Sequence, residues 1–193
     1  MNIAVFASGR GTNFAAIIKA VGSGRIKAKI ALLVCDNPKA RAIELAKKAG
    51  IRAALIEKND FPVRLLKECR IDLIVLAGFM RLLSAEFVRR YKGRIMNIHP
   101  SLLPAFKGTQ GIKDAFDYGA KVTGVTVHFV DEKLDHGPII LQAALQIRRG
   151  DTLACLQERI HRIEHKLYPE AIKLFTSGKL KIKGRKVVIT AIS

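Results

Sequence analysis

This sequence predicts an α/β fold built on a doubly wound, mostly parallel sheet with an antiparallel C-terminal extension. Three observations carry that prediction. Short apolar runs alternate with longer stretches of helical periodicity through the first half of the chain, the pattern of βαβ units. The runs themselves, such as KIALLVC at 29–35 and DLIVLA at 72–77, are continuously apolar, as strands buried on both faces must be. From Val122 the texture changes: VTGVTVHFV, and in part IILQAALQI, alternate apolar with polar residues. That change suggests an antiparallel extension of the sheet.

Each element follows in order. Residues 3–7 form a first strand that ends in Ser8-Gly9-Arg10-Gly11-Thr12-Asn13. A helix is expected over 14–21, closed by Gly22 and Gly24, with Asn13 placed to cap it. The second strand, 29–35, stops at Asp36-Asn37-Pro38. Residues 39–49 read as helix up to Gly50, 53–56 as a weaker third strand, 65–69 as a turn or two of helix, and 72–77 as a fourth strand. Ser84 caps a helix over 84–91, and 94–99 is a fifth strand. Strands at 122–130 and 139–147 are joined through residues 131–138. A long helix covers 153–175, and Pro169 within it predicts a kink or break, because proline removes a backbone donor and crowds the preceding turn. The tail, 179–193, is basic and then apolar, and is expected to add an edge strand. No repeat or linker interrupts the pattern, so 1–193 reads as one domain.

Composition narrows the function. Of 193 residues 49% are hydrophobic and 26% charged, values of a globular chain that excludes disorder and collagen-like structure. Cys35, Cys69 and Cys155 are odd in number and far apart, with no metal-ligand spacing around them. A reducing, cytoplasmic setting is expected, with no disulfide framework and no metal. The apolar run at the N-terminus is too short for a secretory signal, and no stretch of ~20 apolar residues predicts a membrane span. The outlying quantity is charge: 34 Lys and Arg against 16 Asp and Glu give a formal +18. Such a balance attracts anions of any kind.

Ser8 to Asn13 is a glycine loop between a strand and a helix, where backbone N–H groups and the helix dipole favour an anion. Phe14 stands where the dinucleotide fingerprint needs its third glycine, and no Walker lysine–hydroxyl pair follows. A monophosphate fits better than either a nicotinamide cofactor or a nucleoside triphosphate. The alternative reading is a tight strand-to-helix turn with no ligand.

Asn97-Ile98-His99-Pro100 ends the fifth strand. Alternation places Asn97 and His99 on one face, and Pro100 keeps His99 extended. Ligands of open parallel sheets gather beyond the carboxyl ends of the strands. An Asn amide there can donate to a developing oxyanion, and a His can move a proton near neutral pH. The acidic segment Asp131-Glu132-Lys133-Leu134-Asp135-His136-Gly137-Pro138 could return a carboxylate to His99. It could equally be an ordinary hairpin turn, with His99 a hydrogen-bonded structural residue.

With those residues in view, the chain resembles the phosphoribosylglycinamide formyltransferase family. The carriers are ASGRGTN at 7–13, LAGFMRLL at 76–83, NIHPSLLP at 97–104, VHFVDEKLDHGPIILQ at 127–142 and IEHKLYP at 163–169, in family order over most of the chain. The resemblance implies a formyltransferase-like, Rossmann-type fold, with 1–96 a phosphate-binding half and 97–193 a catalytic and folate-closing half. It implies that 10-formyltetrahydrofolate is the co-substrate and that glycinamide ribonucleotide accepts the formyl group by direct attack through a tetrahedral intermediate, without metal. Asn97, His99 and Asp135 match the catalytic trio: Asn97 and protonated His99 would hold the oxyanion, and Asp135 would orient His99 and help relay a proton. Gly11, Thr12 and Asn13 match phosphate contacts. Gly108 matches a glycine near the substrate amine, and Glu164 an acid on the ribose hydroxyls. Met80, Arg81, Leu82 and Leu83 match the segment lining the pterin pocket, and the segment from Asp131 to Asp135 would close over the pterin, making Asp131 a folate residue.

Three departures from the family pattern stand out. The segment 61–70 is shorter than usual, and within it Arg64 matches a basic residue that meets the folate. His161 replaces a Gln that helps bind phosphate, which would make binding pH-dependent. Residues 109–112 are atypical and receive no role. Methionyl-tRNA formyltransferases share the Asn-x-His segment but carry a further C-terminal domain, and formyltetrahydrofolate deformylases carry a regulatory N-terminal one. The length of the chain favours neither. A nucleic-acid module would want interleaved aromatics, yet aromatics are only 6% and the excess charge is spread, +12 before Asn97 and +6 from there on. The expected partners are the two small molecules, with no nucleic acid and no membrane, in a monomer or weak homodimer.

Overall fold

The computed structural model describes residues 1–57 and 61–190. Asp60, at the head of the shortened segment, and the last three residues of the expected tail strand lie outside the described residues. The chain forms two compact units, Met1–Met96 and Asn97–Ser193.

The first unit is built from β1 (Asn2–Ala7), α1 (Thr12–Gly22), β2 (Lys29–Cys35), α2 (Arg41–Lys48), β3 (Ala53–Leu55), α3 (Val63–Glu68), β4 (Leu73–Leu76) and α4 (Ala85–Arg90). Its strands lie in the order β3-β2-β1-β4, all parallel. The continuous apolar runs do what they predict: Ile3 to Ala7, Leu32 to Cys35 and Leu73 to Val75 are fully buried, and each large side chain so buried is worth roughly 1.5–3 kcal/mol. An aromatic cluster joins sheet to helix: the Phe6 ring meets Phe79 edge-on at 5.3 Å, and Phe87 packs at 4.9 Å from both Phe61 and Tyr91. Ser84 caps α4, its side chain accepting from the Phe87 N–H at 3.2 Å.

One local expectation fails here. Helix α1 begins at Thr12, capped by Gly11 in the left-handed conformation (φ 70) with no side-chain cap. Asn13 is therefore a buried residue of the first turn rather than the cap. A glycine is required at position 11, since a Cβ there would stand 3.1 Å from Leu45 Cδ1 and 3.2 Å from Ala42 Cα on top of the positive φ.

Strand β5 (Ile95–His99) carries the chain into the second unit, which holds α5 (Gly111–Asp117), β6 (Val122–Phe129), β7 (Ile139–Gln146), α6 (Leu153–Thr176), β8 (Leu180–Lys183) and β9 (Lys186–Ile189). Strands β6 and β7 are antiparallel, as their alternation implies. The tail supplies two strands instead of one, because Gly184 (φ 59) and Arg185 turn the chain back on itself as a hairpin. That hairpin joins β7 through β9 in parallel, so the order is β6-β7-β9-β8 and the extension is not wholly antiparallel. Helix α5 has no counterpart in the sequence reading, which left 109–112 unassigned. Helix α6 is continuous through Pro169 rather than broken there. Its buried residues Leu156, Ile160, Glu164, Tyr168 and Ile172 recur every four positions, one stripe along the helix. Among the described residues no helix is long and apolar enough to cross a membrane.

Gly124 of β6 offers a test of this packing. A Cβ there would lie 2.2 Å from the Ala143 carbonyl oxygen of β7 and 2.6 Å from Leu102 Cδ2. Gly124→Ala should therefore cost about 1–3 kcal/mol, read as a lower urea midpoint at unchanged slope.

Candidate active site

In the first unit the strand order reverses at β1, with β2 and β3 on one side and β4 on the other. Such a reversal opens a crevice beyond the carboxyl ends of the strands. The loops after β1 and β4 meet there. The Ser8 N–H donates to the Gly78 carbonyl at 3.1 Å, and the Met80 N–H donates to Ser8 Oγ at 2.9 Å. Thr12 is exposed and Asn13 buried at the head of α1. The expected pterin segment therefore starts beside the glycine loop. Met80 and Leu82 are exposed, 65% and 77%, and Arg81 donates from Nη1 to the Glu57 carbonyl at 2.8 Å; Leu83 is half-buried. Arg64 projects from α3 almost wholly into solvent, paired with Glu68 one turn on at 2.9 Å.

The second unit gathers the other candidates. Asn97 and His99 share a face of β5, and the loop 131–138 brings Asp135 to both. The carboxylate is 8% exposed and His99 3%. Asp135 Oδ2 lies 3.4 Å from His99 Nδ1 and accepts the Gly108 N–H at 2.9 Å, while Oδ1 accepts from Asn97 Nδ2 at 3.4 Å. Burial pushes the Asp135 carboxyl upward. The His128 ring, the Gly108 N–H and the nearby His99 outweigh that and hold it below the ordinary carboxylate value.

His99 Nε2 sits 2.7 Å from the Phe106 carbonyl, which can only accept, so Nε2 carries a proton. With Nδ1 against a carboxylate, the imidazolium is the form in which both ring nitrogens donate. Gly111, at the start of α5, presses on the same ring: a Cβ there would be 3.1 Å from His99 Nε2 and 2.8 Å from the Phe106 carbonyl oxygen. Both partners of His99 have strained backbones, Phe106 at φ 48 and Asp135 at φ 45. The left-handed region costs a non-glycine residue about 1–2 kcal/mol, so packing around His99 must over-determine it.

His128 belongs to this site and was missed in the sequence. It is 2% exposed on β6, and its Nδ1 donates to the Phe129 carbonyl at 2.8 Å. Its Nε2 lies 3.3 Å from Asn97 Nδ2 and 3.7 Å from Asp135 Oδ1, between the amide and the carboxylate. The signal was present: Thr126 and His128 are polar residues in phase on one face of an apolar strand. Thr126 uses that phase to donate to the Ser101 carbonyl and accept the Leu103 N–H, fixing the loop after β5.

The remaining candidates fall elsewhere in their units. Glu164 is buried (5% exposed) in the stripe of α6, and His161, one turn earlier, meets it through Nδ1 at 3.0 Å. Asp131 pairs with His136 Nδ1 at 2.7 Å. Burial pushes the Asp131 carboxyl up, but His136, the Lys133 N–H and Arg185 bring it below its usual value. Among the described residues no cluster of His, Cys, Asp or Glu could hold a metal ion.

Two outcomes follow. A carboxyl depressed in the folded state stabilises the fold above its unfolded pKa of ~3.9 and loses that contribution as pH falls through the lower folded value. In urea titrations taken downward from pH ~5, Asp135→Asn should lose less stability than the wild type. Gly137→Ala places a Cβ 1.8 Å from the Phe129 carbonyl oxygen at the neck of the loop. It should cost upward of about 3 kcal/mol, measured by thermal unfolding.

Comparison with known proteins places these residues in context. Residues 1–172 match the formyl transferase family. The chain is 46% identical over 179 residues to the phosphoribosylglycinamide formyltransferase of Bacillus subtilis, covering 88% of this chain and 92% of that protein. Against the Escherichia coli protein of the same name identity is 39% over 191 residues, covering 94% and 90%. The crystal structure of glycinamide ribonucleotide transformylase 1 from Symbiobacterium toebii superposes with a TM-score of 0.95 at 42% identity, covering 99% of this chain and 94% of that one. Matched along nearly its whole length in both sequence and backbone, the chain belongs to the formyl transferase family, among the phosphoribosylglycinamide formyltransferases.

Proposed function

We propose that this protein transfers the formyl group of 10-formyltetrahydrofolate to the amine of glycinamide ribonucleotide. What carries the reading is the convergence on one carboxylate of a histidine, an asparagine amide and a backbone N–H, in a chain whose near relatives bear that activity in their name. The amine attacks the formyl carbon, forming a C–N bond and driving an electron pair onto the formyl oxygen. That oxygen is where an N–H of Asn97 and the positive charge of the His99 imidazolium act, the imidazolium as a nearby cation whose own N–H groups stay on Asp135 and Phe106. The two contacts of Asn97 Nδ2, 3.3 and 3.4 Å, are long, so an N–H can be re-aimed at the oxyanion at small cost; such bonds shorten once reactants are seated. Asp135 keeps His99 oriented and supports its charge. It also takes part in moving the amine proton, through water, to N10 of the leaving folate. The tetrahedral intermediate collapses with cleavage of the C–N10 bond, and no covalent bond to the protein forms.

In the same reading Gly11, Thr12 and Asn13 bind the phosphate with help from His161, and Glu164 takes the ribose hydroxyls. Gly108 stands near the amine. The folate is held by Arg64, by the backbone of Met80, Arg81, Leu82 and Leu83, and by Asp131 in the loop that closes on the pterin. The whole chain acts as one formyltransferase domain, cytoplasmic, without metal, as a monomer or weak homodimer.

The decisive experiment incubates the protein with both small molecules and follows formyl transfer to the amine. Formate release without the ribonucleotide would make it a hydrolase, and transfer confined to charged tRNA would sink the reading. Asp135→Asn should lower kcat by about 10²–10⁴-fold while leaving the ribonucleotide Kd close to wild type. An unchanged kcat would remove Asp135 from the mechanism.

A further inference from the structure

We infer that Arg185, in the turn between β8 and β9, is a positioning residue for Asp135, acting through His136 and the loop 131–138. The inference rests on the proposed role of Asp135.

Asp135 is held at φ 45 in a segment with little apolar anchorage: Glu132, Lys133 and Leu134 are exposed. The neck is fixed by the Phe129 N–H donating to the Pro138 carbonyl at 2.9 Å. Inside the loop Asp131 accepts the Lys133 N–H at 3.0 Å and meets His136 Nδ1 at 2.7 Å. None of these contacts holds a backbone group of His136, the residue that follows Asp135. Arg185 does, with Nη2 donating to the His136 carbonyl at 2.7 Å. Its other terminal nitrogen, Nη1, lies 3.2 Å from His136 Nδ1 and 3.0 Å from Nε2. An atom nearly equidistant from both nitrogens of one imidazole cannot lie in the ring plane without overlapping ring carbon. The guanidinium therefore lies over the ring face, leaving the in-plane Nδ1–H for Asp131. A planar cation that stacks and donates from a rigid fork is something Arg supplies and Lys does not.

Register explains how a residue 50 positions away reaches this loop. Ile139, the first residue of β7, pairs with Lys186, the first of β9. The residues just before them, the end of the loop and the tip of the hairpin, are thereby brought side by side. The two-residue turn closed by Lys183 opposite Lys186 then fixes where Arg185 projects. Because Arg185 is exposed and His136 only half-buried, the contact adds little to global stability. Its effect falls on the placement of Asp135, where small displacements are costly to turnover.

The test compares wild type, Arg185→Met, Arg185→Lys and the double variant Arg185→Met with His136→Ala. In Arg185→Met, kcat for formyl transfer should fall about tenfold with the KM for the ribonucleotide and the melting temperature nearly unchanged. Arg185→Lys should recover only part of that loss, and the double variant should be no worse than the poorer single one, since both act along one path. Hydrogen exchange at the Gly108 amide, which Asp135 holds, should quicken in Arg185→Met. Wild-type kcat together with unchanged Gly108 exchange in that variant overturns the inference, as does a rise in KM matching the fall in kcat. A wild-type protein inactive in formyl transfer overturns the reading of Asp135 instead, and Gly108 exchange still decides whether Arg185 positions it.

Discussion

An ionised carboxylate buried to 8% exposure is the constraint around which the second unit is arranged. Such a group persists only where donors replace the water it has lost. Asp135 finds them in two separate segments: the end of β5, through Asn97 and His99, and the Gly108 peptide. Each donor has its own support. His99 is held by the Phe106 carbonyl and pressed by Gly111, Asn97 is shared with His128, and the loop after β5 is tied down by Thr126. Loosening any one of them leaves the buried charge with fewer partners. The same arrangement that keeps Asp135 ionised keeps His99 flanked by acceptors, so structural requirement and proposed chemistry coincide in one set of bonds.

Strain is concentrated where that coincidence is tightest. Two non-glycine residues in the left-handed region, Phe106 and Asp135, flank the same imidazole. Close approach is concentrated there too, at Gly111 against His99 and at Gly137 against the Phe129 carbonyl. In the first unit the corresponding position is Gly11, which starts α1 in a conformation no capping side chain needs to support. Each is a place where backbone must pass closer than a side chain allows, and each lies within a few residues of a proposed ligand contact. The hairpin tip at Arg185 extends the pattern outward, to a loop whose own sequence has few anchors.

Much of this was legible in the sequence. Continuous apolar runs fixed β1, β2 and β4 as buried parallel strands, alternation marked β6 and β7 as an antiparallel pair, and Ser84 announced its helix. Asn97 and His99 followed from strand phase, and Asp135 from the family likeness around LDHGP. The errors were local and have local causes. Asn13 was read as a cap because its side chain suits one, but Gly11 had already turned the chain. Pro169 does not break α6, where a stripe of buried residues every four positions holds the helix through it. His128 was passed over because the phase it shares with Thr126 carries no label of its partners.

By itself, then, the sequence determined which segments are strand or helix, which faces are buried, and which residue types stand at strand ends, since period and propensity are properties of neighbours along the chain. Tertiary structure alone decided that His128 supports Asn97, that His99 donates to Phe106, and that a hairpin tip braces the loop of Asp135. Those contacts join residues up to 49 positions apart. They depend on strand register and ring orientation, which no local pattern encodes.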